Sequence, residues 1–159
     1  MALRFLYSFF ALFSATVIYA QNIPNHSLGI RLSGGTDLWT EVSYQKSTTQ
    51  SNRIQADIGI QNKNAFDTFK LNGTYHWIFN LPNNFAWYVG PGAGITFVDH
   101  SVLDIDTDVF LFFNGDLGIE YYFDFPIQLA ANFKPEIYFK EYDHDNIIFN
   151  IGLSVRYVF

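Results

Sequence analysis

The last thirteen residues, Ile147-Ile148-Phe149-Asn150-Ile151-Gly152-Leu153-Ser154-Val155-Arg156-Tyr157-Val158-Phe159, decide the fold. Every second residue from Ile147 to Phe159 is apolar or aromatic. Between them stand Ile148, Asn150, Gly152, Ser154, Arg156 and Val158. Successive side chains of a strand point to opposite faces, so as a strand this segment has one wholly apolar face and one mixed face with a charge. Wound as a helix, the same residues would have no apolar stripe.

The rhythm repeats backwards along the chain. Ile127, Leu129, Ala131, Phe133, Pro135, Ile137 and Phe139 share a face opposite Gln128, Asn132, Lys134, Glu136 and Lys140. Val109 to Phe123 alternates against Asn114, Asp116, Gly118, Glu120 and Asp124, and Phe85 to Phe97 against Tyr88, Gly90, Gly92, Gly94 and Thr96. Phe69 to Phe79 alternates against Lys70, Asn72, Thr74, His76 and Asn80. Three shorter strands precede these: Leu28–Leu32, Leu38–Tyr44 and Ile54–Ile60. Turn-forming residues separate all eight, so the expectation is an antiparallel meander. Pro91 and Pro135 lie inside strands, where each removes a ladder donor; a bulge or a local break is expected near each.

Composition narrows the class. The chain has 159 residues, the size of one domain, and 49% of them are hydrophobic against 15% charged. Aromatics at 19% exclude a disordered chain, and the net charge of −6 argues against a nucleic-acid partner. The absence of cysteine excludes disulfides, thiolate metal sites and a lipidated cysteine. Met1–Ala20 places Arg4 before an apolar run that ends on a small residue, which reads as a cleaved secretory signal peptide. The expected division is residues 1–20 as signal and 21–159 as the exported domain, with eight Lys and Arg against fifteen Asp and Glu.

Two eight-stranded barrels fit: a soluble lipocalin-like one with the apolar face inward, and a transmembrane one with it outward. Three features favour the second. The mixed face carries the charge: Arg31, Glu41, Arg53, Asp57, Lys70, Asp116, Glu120, Lys134, Glu136 and Arg156, with His76 beside them and Asp124 and Lys140 at its ends. In a narrow lumen these side chains must pair with one another, because an unpaired buried ion costs several kcal/mol. The aromatics of the apolar face gather at strand ends. Tyr75, Trp77, Phe79, Phe85, Trp87, Tyr121, Phe123, Tyr157 and Phe159 fall at one rim, and Phe69, Phe97, Phe139 and Phe149 at the other. Two such girdles mark the bilayer interfaces. The third feature is the terminal Phe159.

The ending Gly152-Leu153-Ser154-Val155-Arg156-Tyr157-Val158-Phe159 resembles the last strand of bacterial outer-membrane proteins. The chain from about residue 26 to 159 is similar in strand count and length to the small eight-stranded barrels of the OmpX and OmpA membrane-domain type. Tyr75-His76-Trp77, Gly90-Pro91-Gly92-Ala93-Gly94 and Phe133-Lys134-Pro135 also resemble a group of small uncharacterised outer-membrane barrel proteins. The resemblance implies a monomeric all-β transmembrane barrel in the outer membrane of a Gram-negative cell. It further implies contact with outer-membrane lipid and lipopolysaccharide, and handling by periplasmic chaperones and a barrel-assembly machinery that reads Tyr157 and Phe159. Both termini would face the periplasm, with the connections Asp99 to Asp108 and Glu141 to Asn146 as longer outer loops.

The expected role is structural or adhesive, through those acidic loops and without a cofactor or catalysis. Asp104, Asp106, Asp108, Asp143 and Asp145 could converge on Ca²⁺ or Mg²⁺, which take oxygen ligands; Val109 stands where a helix–loop–helix calcium site needs Gly. A lipid A-modifying enzyme is the first alternative. Its His and Ser must meet, whereas Asp99-His100-Ser101 are chain neighbours that point apart, and His26 and Ser27 face opposite ways. A periplasmic lipocalin-like ligand carrier is the second. Gly59, Gly90, Gly92, Gly94, Gly118 and Gly152 are expected to add space to an otherwise blocked lumen.

Overall fold

The computed structural model describes residues 23–35, 37–63, 66–100, 105–142 and 145–159. They form eight strands: β1 (His26–Gly34), β2 (Leu38–Ser47), β3 (Asn52–Lys63), β4 (Phe66–Asn80), β5 (Phe85–His100), β6 (Ile105–Tyr122), β7 (Ile127–Tyr142) and β8 (Asp145–Val158). Each pairs antiparallel with the next, and β8 pairs with β1 to close a barrel. Closure continues past the last strand, where His26 and Phe159 exchange backbone hydrogen bonds of 3.1 and 3.0 Å. No strand edge is left open, which is what a chain surrounded by hydrocarbon requires.

The registers set the barrel's shape. Directly paired residues run Trp87, Ile119, Ala131, Leu153, Leu32, Thr40, Ile60, Phe69 and back to β5 at Phe97, ten residues above the start. That stagger over eight strands gives a tilt of about 40° and a backbone radius of about 8 Å. Climbing β5 from Trp87 to Phe97 at that tilt rises about 25 Å, the height of the apolar band of outer-membrane barrels.

The faces are sorted as period two requires, with the apolar face outward. Ile151, Leu153 and Phe139 are each at least 64% exposed, whereas ten charged side chains inside are 3% exposed or less. Aromatic pairs edge the band. Tyr75–Trp77, Phe79–Trp87, Phe85–Tyr121 and Tyr157–Phe159 lie at the end holding the termini. Phe69–Phe97, Phe113–Phe139 and Phe133–Phe149 lie toward the other.

Two expectations need correction. The outer loops are not long: β5 runs on to His100 and β6 starts at Ile105, while β7 reaches Tyr142 and β8 starts at Asp145. Alternation persists through Ile105, Thr107 and Val109, and beyond the apolar band a strand can be polar on both faces. The local break expected near Pro91 and Pro135 is present: each interrupts one ladder without shifting its register. Pairing of β4 with β5 lapses between Thr74↔Gly92 and Trp77↔Val89, and that of β6 with β7 between Asn114↔Glu136 and Leu117↔Phe133. The shifts lie at the far ends instead, at Val98/His100 and Ile137/Tyr142. Asp124 and Lys140 are exposed rather than lumenal, because one follows β6 in its turn and the other lies above the enclosed part of β7.

Candidate functional site

The lumen is the barrel's one dense collection of polar chemistry among the described residues. All eleven residues expected to form a polar network lie inside it, and their partners arrange in three tiers. In the tier nearest the termini, Arg53 reaches Glu120 through Nη2–Oε2 at 2.7 Å and Nη1–Oε1 at 2.9 Å. Glu120 also accepts from Tyr122 Oη at 2.6 Å and from Gln128 Nε2 at 2.7 Å. Arg156 donates to Ser43 Oγ at 3.0 and 3.1 Å and to Gln55 Oε1 at 3.4 Å.

In the middle tier Lys134 bridges two carboxylates, Asp57 at 2.9 Å and Asp116 at 3.6 Å. Asn132 donates to Asp116 at 2.6 Å, and Gln55 donates to both oxygens of Asp57. His76 links this tier to the first. Arg53 Nε donates to its Nδ1 at 3.2 Å, and a guanidinium has no acceptor. Nδ1 therefore carries the lone pair, and Nε2–H donates to Asp116 at 3.1 Å.

In the outer tier Glu41 accepts from Arg31 at 2.6 Å and from Ser33 at 3.0 Å, and lies 3.9 Å from Lys70. Lys70 meets Glu136 at 3.1 Å, and Tyr138 donates to that carboxylate at 3.1 Å. The Lys70 ammonium also stands 4.3 Å over the Trp39 ring. Five cations thus share a neutral interior with five carboxylates, His76 being uncharged; four of the cations lie in ion pairs, and Arg156 is held by Ser43 and Gln55. Such pairing offsets a desolvation penalty of several kcal/mol per ion.

Apolar groups close the charged stack at both ends. Trp39, Phe112 and Tyr138 sit around Lys70 at the outer end, with Phe112 and Tyr138 rings 5.0 Å apart. Ile23, Ile78, Ala86 and Tyr88 form a buried cluster at the other end, with Tyr122 against it. The lumen glycines do not add empty space, contrary to expectation. A Cβ on Gly94 would lie 2.2 Å from the Phe112 ring, and one on Gly118 would lie 2.4 Å from Tyr88. On Gly152 it would meet Asn132 and Arg31, and on Gly59 the Trp39 ring at 3.2 Å. Each of these four glycines is the seat of a large side chain from elsewhere in the lumen, the alternation of small and large by which narrow barrels fill.

Phe112, Tyr138, Ile78, Ala86, Tyr122 and Ile23 were not among the expected lumen residues. Parity could have found Phe112, which stands between the outward Leu111 and Phe113. Ile23 precedes the first strand, so no period marks it. The expected cation site falls largely outside the described residues: Asp104 and Asp143 lie outside them, and of the other three only the side chain of Asp108 is described, exposed on β6. Among the described residues no cluster of three His, Asp or Glu is placed to hold a metal ion. His26 stacks on Phe159 and bonds Tyr44 Oη at 2.8 Å on the outer face, while Ser27 bonds Gln45 inside. Ser101 and His144 lie outside the described residues.

A closed eight-stranded barrel of this kind has counterparts among solved structures. The N-terminal β-barrel domain of Pseudomonas aeruginosa OprF superposes with a TM-score of 0.67 at 17% identity, over 87% of this chain and all of that one. The fold is that of the small outer-membrane barrels. Neisserial surface protein A matches at 0.62 with 14% identity, over 84% of this chain and 94% of that one. Ail, the attachment invasion locus protein of Yersinia pestis, matches at 0.53 with 12% identity, over 84% and 96%. No protein-family model matches the sequence, and no curated protein does.

Proposed function

We propose that this chain is an integral outer-membrane protein whose barrel is a closed anchor and whose outer end meets the cell's surroundings, in a structural or adhesive role without catalysis. The carrying observation is the inversion of faces: a continuous exposed apolar band around a neutral, enclosed network of ten charges. A lipocalin-like carrier needs the reverse, an apolar cup inside a polar wall. On this reading the band lies against outer-membrane lipid and lipopolysaccharide, and Tyr157 and Phe159 are read during assembly.

The two ends differ in charge. In sequence, nine acids (Asp37, Asp67, Asp99, Asp104, Asp106, Asp108, Glu141, Asp143 and Asp145) lie at or between the strand ends away from the termini, with only Lys63 and Lys140 beside them. The other end has Lys46 and Asp124. The net negative charge of the domain thus belongs to the end that would face outward. An adhesive role is in keeping with the similarity to Ail, itself an attachment and invasion protein.

The test is topological. The chain has no cysteine, so a single introduced thiol is unambiguous. Asn146→Cys, at the start of β8, should react with a membrane-impermeant maleimide on intact cells. Gln50→Cys, between β2 and β3, should react only after the outer membrane is permeabilised. The opposite pattern, or labelling only in the soluble periplasmic fraction, would overturn the proposal.

A further inference from the structure

The chain reaches the barrel by an unusual route. Asn25 still continues the β1–β2 ladder, its carbonyl accepting from Ser47 N–H at 2.9 Å; before it Pro24 has no backbone N–H and cannot extend the ladders of β1, and Ile23 and Pro24 leave the wall. They do not turn outward. Ile23 is 9% exposed and packs with Ile78 of β4 and with Ala86 and Tyr88 of β5. In a ring of eight strands β5 stands opposite β1. The segment therefore reaches inward over the mouth, far enough for the Ile23 side chain to meet side chains of the opposite wall. Its exit is fixed beside β1 at the end of β2, where Ser47 Oγ donates to Pro24 O at 2.7 Å. Clefts of about 520 and 550 Å³ open beside it, and both are lined by Ile23, Pro24 and Val158. The strap is the ridge between them.

Beneath the strap lies the first tier of charge. Tyr122 packs against the Ile23 cluster with its ring and donates to Glu120 with its hydroxyl. The Arg53 guanidinium lies 4.7 Å over the Tyr88 ring, which belongs to the same cluster. We infer that Ile23 and Pro24, anchored to the wall through Asn25, are a strap that seals the terminal mouth of the lumen, with Ile23 as its stopper. The strap keeps water from the Arg53–Glu120 pair independently of the Trp39–Phe112–Tyr138 seal at the other end.

The test uses two buried reporters on one strand in the otherwise cysteine-free chain. Ala86→Cys lies under Ile23, and Thr96→Cys lies ten residues up β5 near Tyr138, to which Thr96 Oγ1 is 3.3 Å. Each is folded in detergent, checked by its boiled and unboiled migration, and reacted with a small water-soluble methanethiosulfonate. Ile23→Ser should raise the reaction rate at Ala86→Cys by at least about tenfold, since it removes a buried apolar side chain, and leave Thr96→Cys unchanged. Ile23→Leu should retain protection. Ser47→Ala, which loosens the tether without touching the stopper, should give a smaller rise at Ala86→Cys and stands in if Ile23→Ser does not fold. Unchanged reactivity at Ala86→Cys would overturn the inference, as would a parallel rise at both reporters, which would mean general loosening.

Discussion

Removing the charge of Glu120 is the perturbation that bears most on whether the lumen is dry. Its carboxylate lies 2.7 and 2.9 Å from the two terminal nitrogens of Arg53, and both residues are 1% exposed. Glu120→Gln keeps the shape but leaves the guanidinium without a counter-ion. Breaking a buried pair in this way costs about 3–5 kcal/mol. The Tyr88 ring over Arg53 offsets about 1–2 of that, so a loss of roughly 1–4 kcal/mol is expected. Replacing both partners, as Arg53→Met with Glu120→Leu, removes the charge altogether. It costs about 1 kcal/mol for each hydrogen bond lost from Tyr122 and Gln128, partly balanced by relief from desolvation. The double variant should therefore be more stable than Glu120→Gln. The assay is urea unfolding of the protein folded in detergent, followed by the fraction that keeps its unboiled mobility and extrapolated linearly. A Glu120→Gln variant within about 0.5 kcal/mol of the parent would refute the reasoning, because a pair in contact with water is worth little.

Other consequences follow from the same geometry. Gly118→Ala should destabilise by about 1–3 kcal/mol, because its Cβ would strike the Tyr88 ring. Gly73→Ala, with nothing within 4 Å, should be neutral or mildly stabilising in the same urea titration. Leu153→Arg, on a side chain 66% exposed, should cost about 2–4 kcal/mol in a bilayer. A solvated outer face would tolerate that change within about 0.5 kcal/mol. Phe159→Ser removes both the ring that stacks on His26 and the terminal aromatic, and should lower the yield of folded protein in outer membranes, read by quantitative blotting of unboiled samples. Normal yield would count against an assembly role for that residue.

Most of this architecture was legible because one physical rule governs it. Alternation from Ile147 to Phe159 alone separates an apolar face from a mixed one, and the same parity assigns Arg31, Glu41, Asp57 and Lys134 to the lumen. The partners were not legible. Lys134 meets Asp116 on the neighbouring strand, but it also meets Asp57 across the barrel, more than seventy residues away, and that depends on a ten-residue stagger that no local pattern records. Phe112 sits in an apolar run where both faces are equally hydrophobic, so only its parity with Asn114 and Asp116, not its residue type, marks it as inward. Glycines misled for a related reason: the space at Gly94 belongs to Phe112 of the neighbouring strand. The strap escaped notice because Ile23 lies outside any periodic segment, and its burial follows from where the barrel's mouth happens to be. The acidic connections were overestimated in length, since turn-forming composition at Asp104 to Asp108 coexists with a strand's alternation.

The central claim is that the apolar face is outside. It is tested most directly by separating cells into soluble and membrane fractions and running each on a gel with and without boiling. An outward apolar face puts the protein in the outer-membrane fraction, in a form that resists detergent and changes mobility only when heated. Recovery in the soluble periplasmic fraction, with the same mobility boiled or not, would contradict it.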